Sequence, residues 1–152
     1  MKLLELCRRA ITFPDIIITG ARKDVDSGSI YVYAQASSRP SRCKNPKCNS
    51  VLLPHKHSSK HNLIQDRQID GCNVYIDLEI YRYRCPECNH VFPDEFSFYD
   101  KLSHCTYRLR EEFYLRCLSG QSFNSVATLY HVSHKTVGAA FYKYSKKDSS
   151  DF

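Results

Sequence analysis

Residues 74–88 read VYIDLEIYRYRCPEC. Val74, Ile76, Leu78 and Ile80 fall on one side of this run, and Tyr75, Asp77, Glu79, Tyr81 and Tyr83 on the other. That period of two is the signature of a strand with one face buried. The strand leads straight into Cys85 and Cys88, separated by two residues, and a second pair, Cys43 and Cys48 in CKNPKC, lies upstream. Two close thiol pairs, one in a Pro- and Ser-rich loop and one at a strand end, are the ligand pattern of a zinc ribbon. Pro46, Pro86 and Asn89 suit the tight turns that bring paired sulfurs onto one ion. Four thiolates would complete a tetrahedral shell and leave no position for a reactive water, so the expected Zn2+ is structural. Cys7, Cys72, Cys105 and Cys117 show no pairing and read as small apolar groups or free thiols. His55, His57 and His61, in a Lys- and Ser-rich stretch, read as solvent-facing. His57 is the first candidate should a histidine replace a thiolate.

Working outward, FPDIIITG and SIYVYAQA are two β-rich runs separated by a polar, Gly-containing segment, a hairpin pattern that follows a short amphipathic start. Beyond Pro93 the period changes. Thr106–Leu118 carries Leu109, Phe113, Cys117 and Leu118 at helical spacing and closes at Ser119-Gly120. Ser122 caps a second expected helix that buries Phe123, Val126, Ala127 and Tyr130. Ser133 caps a third with Val137, Ala140, Phe141 and Tyr144 inward, and the tail KKDSSDF reads as frayed. The expected class is therefore α+β, with a β-rich zinc-ribbon module over residues 1–98 and a helical module over 99–152.

The stretch SFNSVATLYHVSHKTVGAAFYKY has the layout of a helix-turn-helix. Ala127 lets the helices approach, His131-Val132-Ser133 makes the turn, and Val132 plugs the core. His131 stands where Gly is usual, so it is expected to take positive φ. Helical spacing turns His134, Lys135, Gly138, Ala139 and Tyr142 outward. His134, Lys135, Thr136, Ala139, Tyr142 and Lys143 are candidate DNA contacts, with Arg108, Arg110 and Arg116 of the preceding helix as further backbone contacts. Charge agrees with an anionic partner. The chain carries 22 Lys and Arg against 16 Asp and Glu, and residues 101–152 hold eight basic groups against four acidic ones.

At 152 residues the chain has room for one domain or two small modules. No apolar run approaches the roughly 18 residues of a membrane span, and Glu5, Arg8 and Arg9 interrupt any signal-peptide core. The expectation is a cytoplasmic, nucleoid-associated protein. Asp77 and Glu79 share a strand face and Asp94, Glu95 and Asp100 follow, yet no phosphate loop, nucleophile elbow or His-Glu-x-x-His motif is present, so the chain is expected not to be an enzyme. A protein-protein adaptor built on the ribbon is the alternative, and a nuclease working through Asp77 or Asp94 a more distant one.

The run CKNPKC, HKHSSKHNLIQDRQIDG, VYIDLEIYRYRCPECNHVFPDEF and then a helix-turn-helix resembles the N-terminal part of insertion-sequence transposases of the ISL-three type. The resemblance covers most of the chain and lies in the order of its motifs. It implies that Cys43, Cys48, Cys85 and Cys88 hold zinc, that Arg82 and Arg84 are the basic residues before the second knuckle, and that Phe92–Phe96 is the aromatic-acidic segment after it. It also implies double-stranded DNA at the element's terminal inverted repeats as partner, with a homodimer or a transposase as protein partner. Family members continue into an RNase H-like catalytic domain. Residues up to Phe152 do not supply one, and the sequence reads as a repressor, an accessory subunit or a truncated remnant.

Overall fold

A computed structural model describes residues 2–150. The chain runs α1 (Leu3–Ala10), β1 (Ile16–Lys23), β2 (Ile30–Ala36), β3 (His55–Ile69), β4 (Cys72–Arg84), β5 (Val91–Pro93), β6 (Tyr99–Asp100), β7 (Cys105–Thr106), α2 (Tyr107–Leu118), α3 (Phe123–Tyr130) and α4 (His134–Ser150). This is the α+β class read from the sequence. Two compact units divide it: Met1–Ile64 with Tyr75–Ser97, and Gln65–Val74 with Phe98–Phe152. Residues 65–74, read from the sequence as part of the ribbon, thus group with the helices.

In the first unit the strands are ordered β1-β2-β4-β3, and β5 pairs with the end of β4. β1 and β2 form the expected antiparallel hairpin, with Ile16 opposite Ala36 and Arg22 opposite Tyr31, and a register shift between Ile18 and Gly20. Alternation places Ile30, Val32 and Ala34 of β2 and Ile76, Leu78 and Ile80 of β4 on one buried face. Ile16 and Ile18 of β1 are buried too, and α1 contributes Cys7 while Ile11 follows it inward. Arg8 fixes the helix by donating through Nη2 to the Ile18 carbonyl at 3.0 Å. At Tyr83 the pattern reverses. This tyrosine belongs by parity to the polar face, yet it is buried, stacked on Phe92 at 6.1 Å where β5 pairs with β4.

The second unit is built on α2, α3 and α4. Leu109, Phe113, Val126, Ala127, Tyr130, Val137 and Ala140 form its core, with Cys105 beside them and Cys117, Phe123 and Val132 packed at its margin. Leu118, by contrast, is 57% exposed. Thr106 caps α2 by accepting from the Leu109 N–H at 3.2 Å, and Ser122 caps α3 by accepting from the Ser125 N–H at 3.1 Å. Within this unit the tip of the β3–β4 hairpin meets the end of α3. Gln65 Nε2 donates to the Tyr130 carbonyl at 2.7 Å, and Gln68 Nε2 to the Leu129 carbonyl at 3.2 Å. These side chains satisfy carbonyls that a helix C-terminus leaves without intrahelical donors. Helix α4 continues through the segment expected to fray. Asp151 and Phe152 lie outside the described residues.

Candidate metal centre and nucleic-acid interface

The loop before β3 and the turn after β4 bring Cys43, Cys48, Cys85 and Cys88 together, with all four sulfurs within 4.8 Å of one another. Cys43 and Cys88 sulfurs are 3.5 Å apart and those of Cys48 and Cys85 3.8 Å. A disulfide needs about 2.05 Å. Thiolates at ~2.3 Å from one tetrahedral ion are separated by about 3.8 Å, so the donor set fits such an ion.

The local backbone explains the convergence. Each knuckle folds so that a sulfur accepts an N–H from two residues ahead: Asn45 to Cys43 at 3.4 Å, and likewise Ser50 to Cys48 and His90 to Cys88. Asn89 takes φ +61°, which closes the second turn, and its N–H donates to the Cys85 carbonyl at 3.0 Å. Desolvation pushes the Cys43 thiol up to about 12 against the Asn45 N–H. Cys48 is also raised: the Ser50 N–H favours its thiolate, but desolvation and the neighbouring sulfurs outweigh that. The His90 N–H foremost holds Cys88 down to about 7. Crowded sulfurs resist sharing more than one negative charge, a condition that a divalent cation relieves.

Among the described residues these cysteines are the one group of three or more potential metal ligands, and no histidine belongs to it. His55 and His57 are exposed on β3, while His61 Nδ1 lies 2.8 Å from Asp77 Oδ1. The acids that an enzyme would use are engaged separately. Asp94 Oδ2 accepts from the Tyr81 N–H at 2.9 Å, and Asp100 pairs with Arg110.

In the second unit, α3 ends at His131 with φ 55° and ψ 43°, the left-handed conformation expected there. The Val132 N–H donates to the Ala127 carbonyl at 3.0 Å, and Ser133 Oγ accepts from the Thr136 N–H at 3.2 Å to start α4. His134, Lys135, Ala139 and Tyr142 are exposed, and Tyr142 is 61% accessible. Lys143 is exposed with its Nζ 5.4 Å from the Tyr107 ring centroid. Thr136 is half-buried, its Oγ1 3.0 Å from Ser133 Oγ. Gly138 corrects the outward reading of its position. It is buried, and a Cβ there would stand 3.3 Å from Phe123 Cε2, so the missing side chain lets α3 and α4 approach.

The three arginines of α2 are held within the unit. Arg110 is 5% exposed and paired with Asp100. Arg108 is bound to Asp66, and Arg116 Nε donates to Tyr130 Oη at 2.9 Å. Burial and pairing of this kind serve the fold before any ligand. One residue escaped the sequence reading. Exposed Lys146 extends the line Lys135, Ala139, Tyr142 by another helical turn, a continuation visible in the spacing i, i+4, i+7, i+11.

The geometry defines a class: a helix-turn-helix carried with a four-cysteine cluster. Comparison with known families sharpens the first part. Residues 95–145, about a third of the chain, match the helix-turn-helix domain of transposase family ISL3 and form a helix-turn-helix region of that type. No curated protein and no solved structure matches the chain. Among the described residues no helix is long and apolar enough to cross a membrane.

Proposed function

We propose that this chain is a zinc-stabilised, sequence-preferring binder of double-stranded DNA that recognises terminal inverted repeats of an insertion sequence. The observation that carries the reading is the exposed line Lys135, Ala139, Tyr142 and Lys146 on the second helix of an ISL3-type helix-turn-helix. Small and cationic groups near a helix start suit entry into a major groove, with the helix N-terminus favouring phosphate. His134, Thr136 and Lys143 flank the line and complete the contact. Arg108, Arg110 and Arg116 position the helices rather than touch DNA.

In this reading Cys43, Cys48, Cys85 and Cys88 hold a structural zinc ion that stabilises the ribbon. The expected result on elemental analysis of the native protein is a single zinc ion per chain, lost on replacing the four cysteines. Duplex binding is tested with the terminal repeats across a salt series. Lys135→Ala lowers the slope of log affinity against log salt by about one unit if Lys135 meets phosphate. If Lys135 meets a base edge, the substitution relaxes preference at one position by about 1–3 kcal/mol. Unchanged affinity, slope and preference would remove α4 as the reading helix.

A further inference from the structure

The polar face of the β1–β4 sheet carries aromatic and cationic groups that duplex reading by α4 does not use. Tyr31 and Tyr75 stack with centroids 5.6 Å apart. The Arg22 guanidinium lies 4.5 Å from the Tyr31 centroid and donates through Nε to Tyr33 Oη at 2.8 Å. Further along the face, Lys56 Nζ stands 4.1 Å from the Tyr81 centroid, and the Arg39 guanidinium lies 5.7 Å from the centroid of the buried Tyr83 at the cleft wall. A cleft of about 230 Å³ opens here, with Ser37, Ser38, Arg39, Lys56, Tyr81 and Tyr83 in its wall and no carboxylate. Of the acids on the same face, Asp77 is paired with His61.

Two features select the ligand. The cleft is smaller than the roughly 300–1,000 Å³ of small-molecule pockets, so it suits one ring or one phosphate of a polymer lying across the sheet. Cations beside accessible aromatic rings are the combination that holds single strands, because every unpaired base offers a π-face. A duplex keeps those faces stacked inside. We propose that this face binds single-stranded DNA, with a base stacked on Tyr81 and the adjoining phosphates between Arg39 and Lys56. Exposed Lys56 can swing from the ring to a phosphate, whereas Arg39 is fixed by donating through Nη2 to the Pro54 carbonyl at 2.6 Å. This site uses no residue of α4 and does not depend on that helix being the duplex reader.

The test uses the full chain and a labelled oligothymidylate followed by fluorescence anisotropy. Intrinsic emission gives a second readout, since the chain has 11 tyrosines and no tryptophan. The strand is expected to bind and quench tyrosine emission. Tyr81→Leu weakens binding about tenfold, within the range of a lost stacking contact, while Tyr81→Phe retains it. Lys56→Gln lowers the salt slope by about 0.7. Lys135→Ala leaves single-strand binding intact, so failure of the duplex reading and failure of this one are distinguishable. The proposal is overturned if Tyr81→Leu binds like wild type with an unchanged circular dichroism spectrum. Polyglutamate competing as well as oligothymidylate, or an RNA strand binding more tightly than DNA, would also overturn it.

Discussion

Replacing Asp66 by alanine removes a fully buried carboxylate that ties the hairpin tip to the start of α2. Thr106 Oγ1 donates to its Oδ1 at 2.8 Å and Arg108 Nε to the same oxygen at 2.9 Å, while Arg108 Nη2 meets Oδ2. The buried Thr106 hydroxyl would lose its acceptor, which costs about 1–3 kcal/mol for a group of this kind. The guanidinium, 23% exposed as a side chain, would partly rehydrate, so its loss is less than that of a sealed ion pair. Breaking a buried pair costs roughly 3–5 kcal/mol, and the expected destabilisation for Asp66→Ala lies near the lower end, about 3 kcal/mol. Arg108→Ala should cost more, because it leaves the carboxylate sealed with Thr106 as its remaining partner among these three. Urea unfolding of the two single variants and the double variant, followed by circular dichroism at 222 nm, measures the coupling. Destabilisation below about 1 kcal/mol by Asp66→Ala, or single-variant effects that simply add, would refute the argument.

Three further outcomes follow from the same structure. Chelation, or Cys85→Ser, should abolish cooperative melting of the first unit, because a structural zinc ion supplies about 10–16 kcal/mol against a typical domain stability of about 5–15 kcal/mol. An unchanged melt after verified metal removal would contradict it. Gly138→Leu should destabilise the helical unit by about 1–3 kcal/mol through overpacking against Phe123, whereas Gly138→Ala should be near neutral, helix propensity offsetting a shift of the ring. Equal urea midpoints for the two variants would count against that packing. Burial raises the Asp94 carboxyl above its ordinary value, although the Tyr81 N–H and the Lys56 charge oppose the shift. Its contribution is therefore present below the unfolded pKa of about 3.9 and lost as pH rises through the folded value. Asp94→Asn keeps an oxygen for the Tyr81 N–H, so it should gain on wild type between pH 4 and pH 7. A constant difference in urea midpoint across that range would dismiss burial as the cause.

The parts legible in the sequence are those where one period or one spacing dictates the outcome. Val74–Ile80 alternates because one face is buried, and Ile76, Leu78 and Ile80 accordingly line the first unit's core. Ser122 and Ser133 announce two helix starts through hydroxyls that accept backbone N–H groups. The pairing of Cys43 with Cys48 and of Cys85 with Cys88 foretold a convergence that the knuckle turns produce. Arginines were harder to place, since spacing alone does not show an acidic partner distant in sequence. Nothing in the spacing around Arg108 shows that Asp66, 42 residues away, stands beside it. Gly138 likewise reads as outward until Phe123 occupies the space above it.

Strand β3 escaped the sequence reading for a different reason, and that reason bears on how the helix-turn-helix is held. HKHSSKHNLIQDRQI has no apolar alternation because much of the strand buries little: residues 55–61 are exposed throughout. Its far end is polar for another purpose. Gln65 and Asp66 are buried, and Gln65 gives its amide to the last carbonyl of α3 while Asp66 receives Thr106 and Arg108 at the start of α2. Gln68, also bonded to Asn73 at 3.0 Å, reaches the carbonyl of Leu129. The C-terminus of α3, whose last carbonyls a free-standing helix-turn-helix would leave to water, is thus met by side chains of the hairpin tip, and the start of α2 is tied to the same tip through its Thr106 and Arg108 side chains. Polar residues at these positions meet the chemistry of helix termini, and hydropathy alone would assign them to a loop. The geometry of the turn before α4 accordingly depends on residues more than fifty positions upstream as well as on the turn sequence His131-Val132-Ser133.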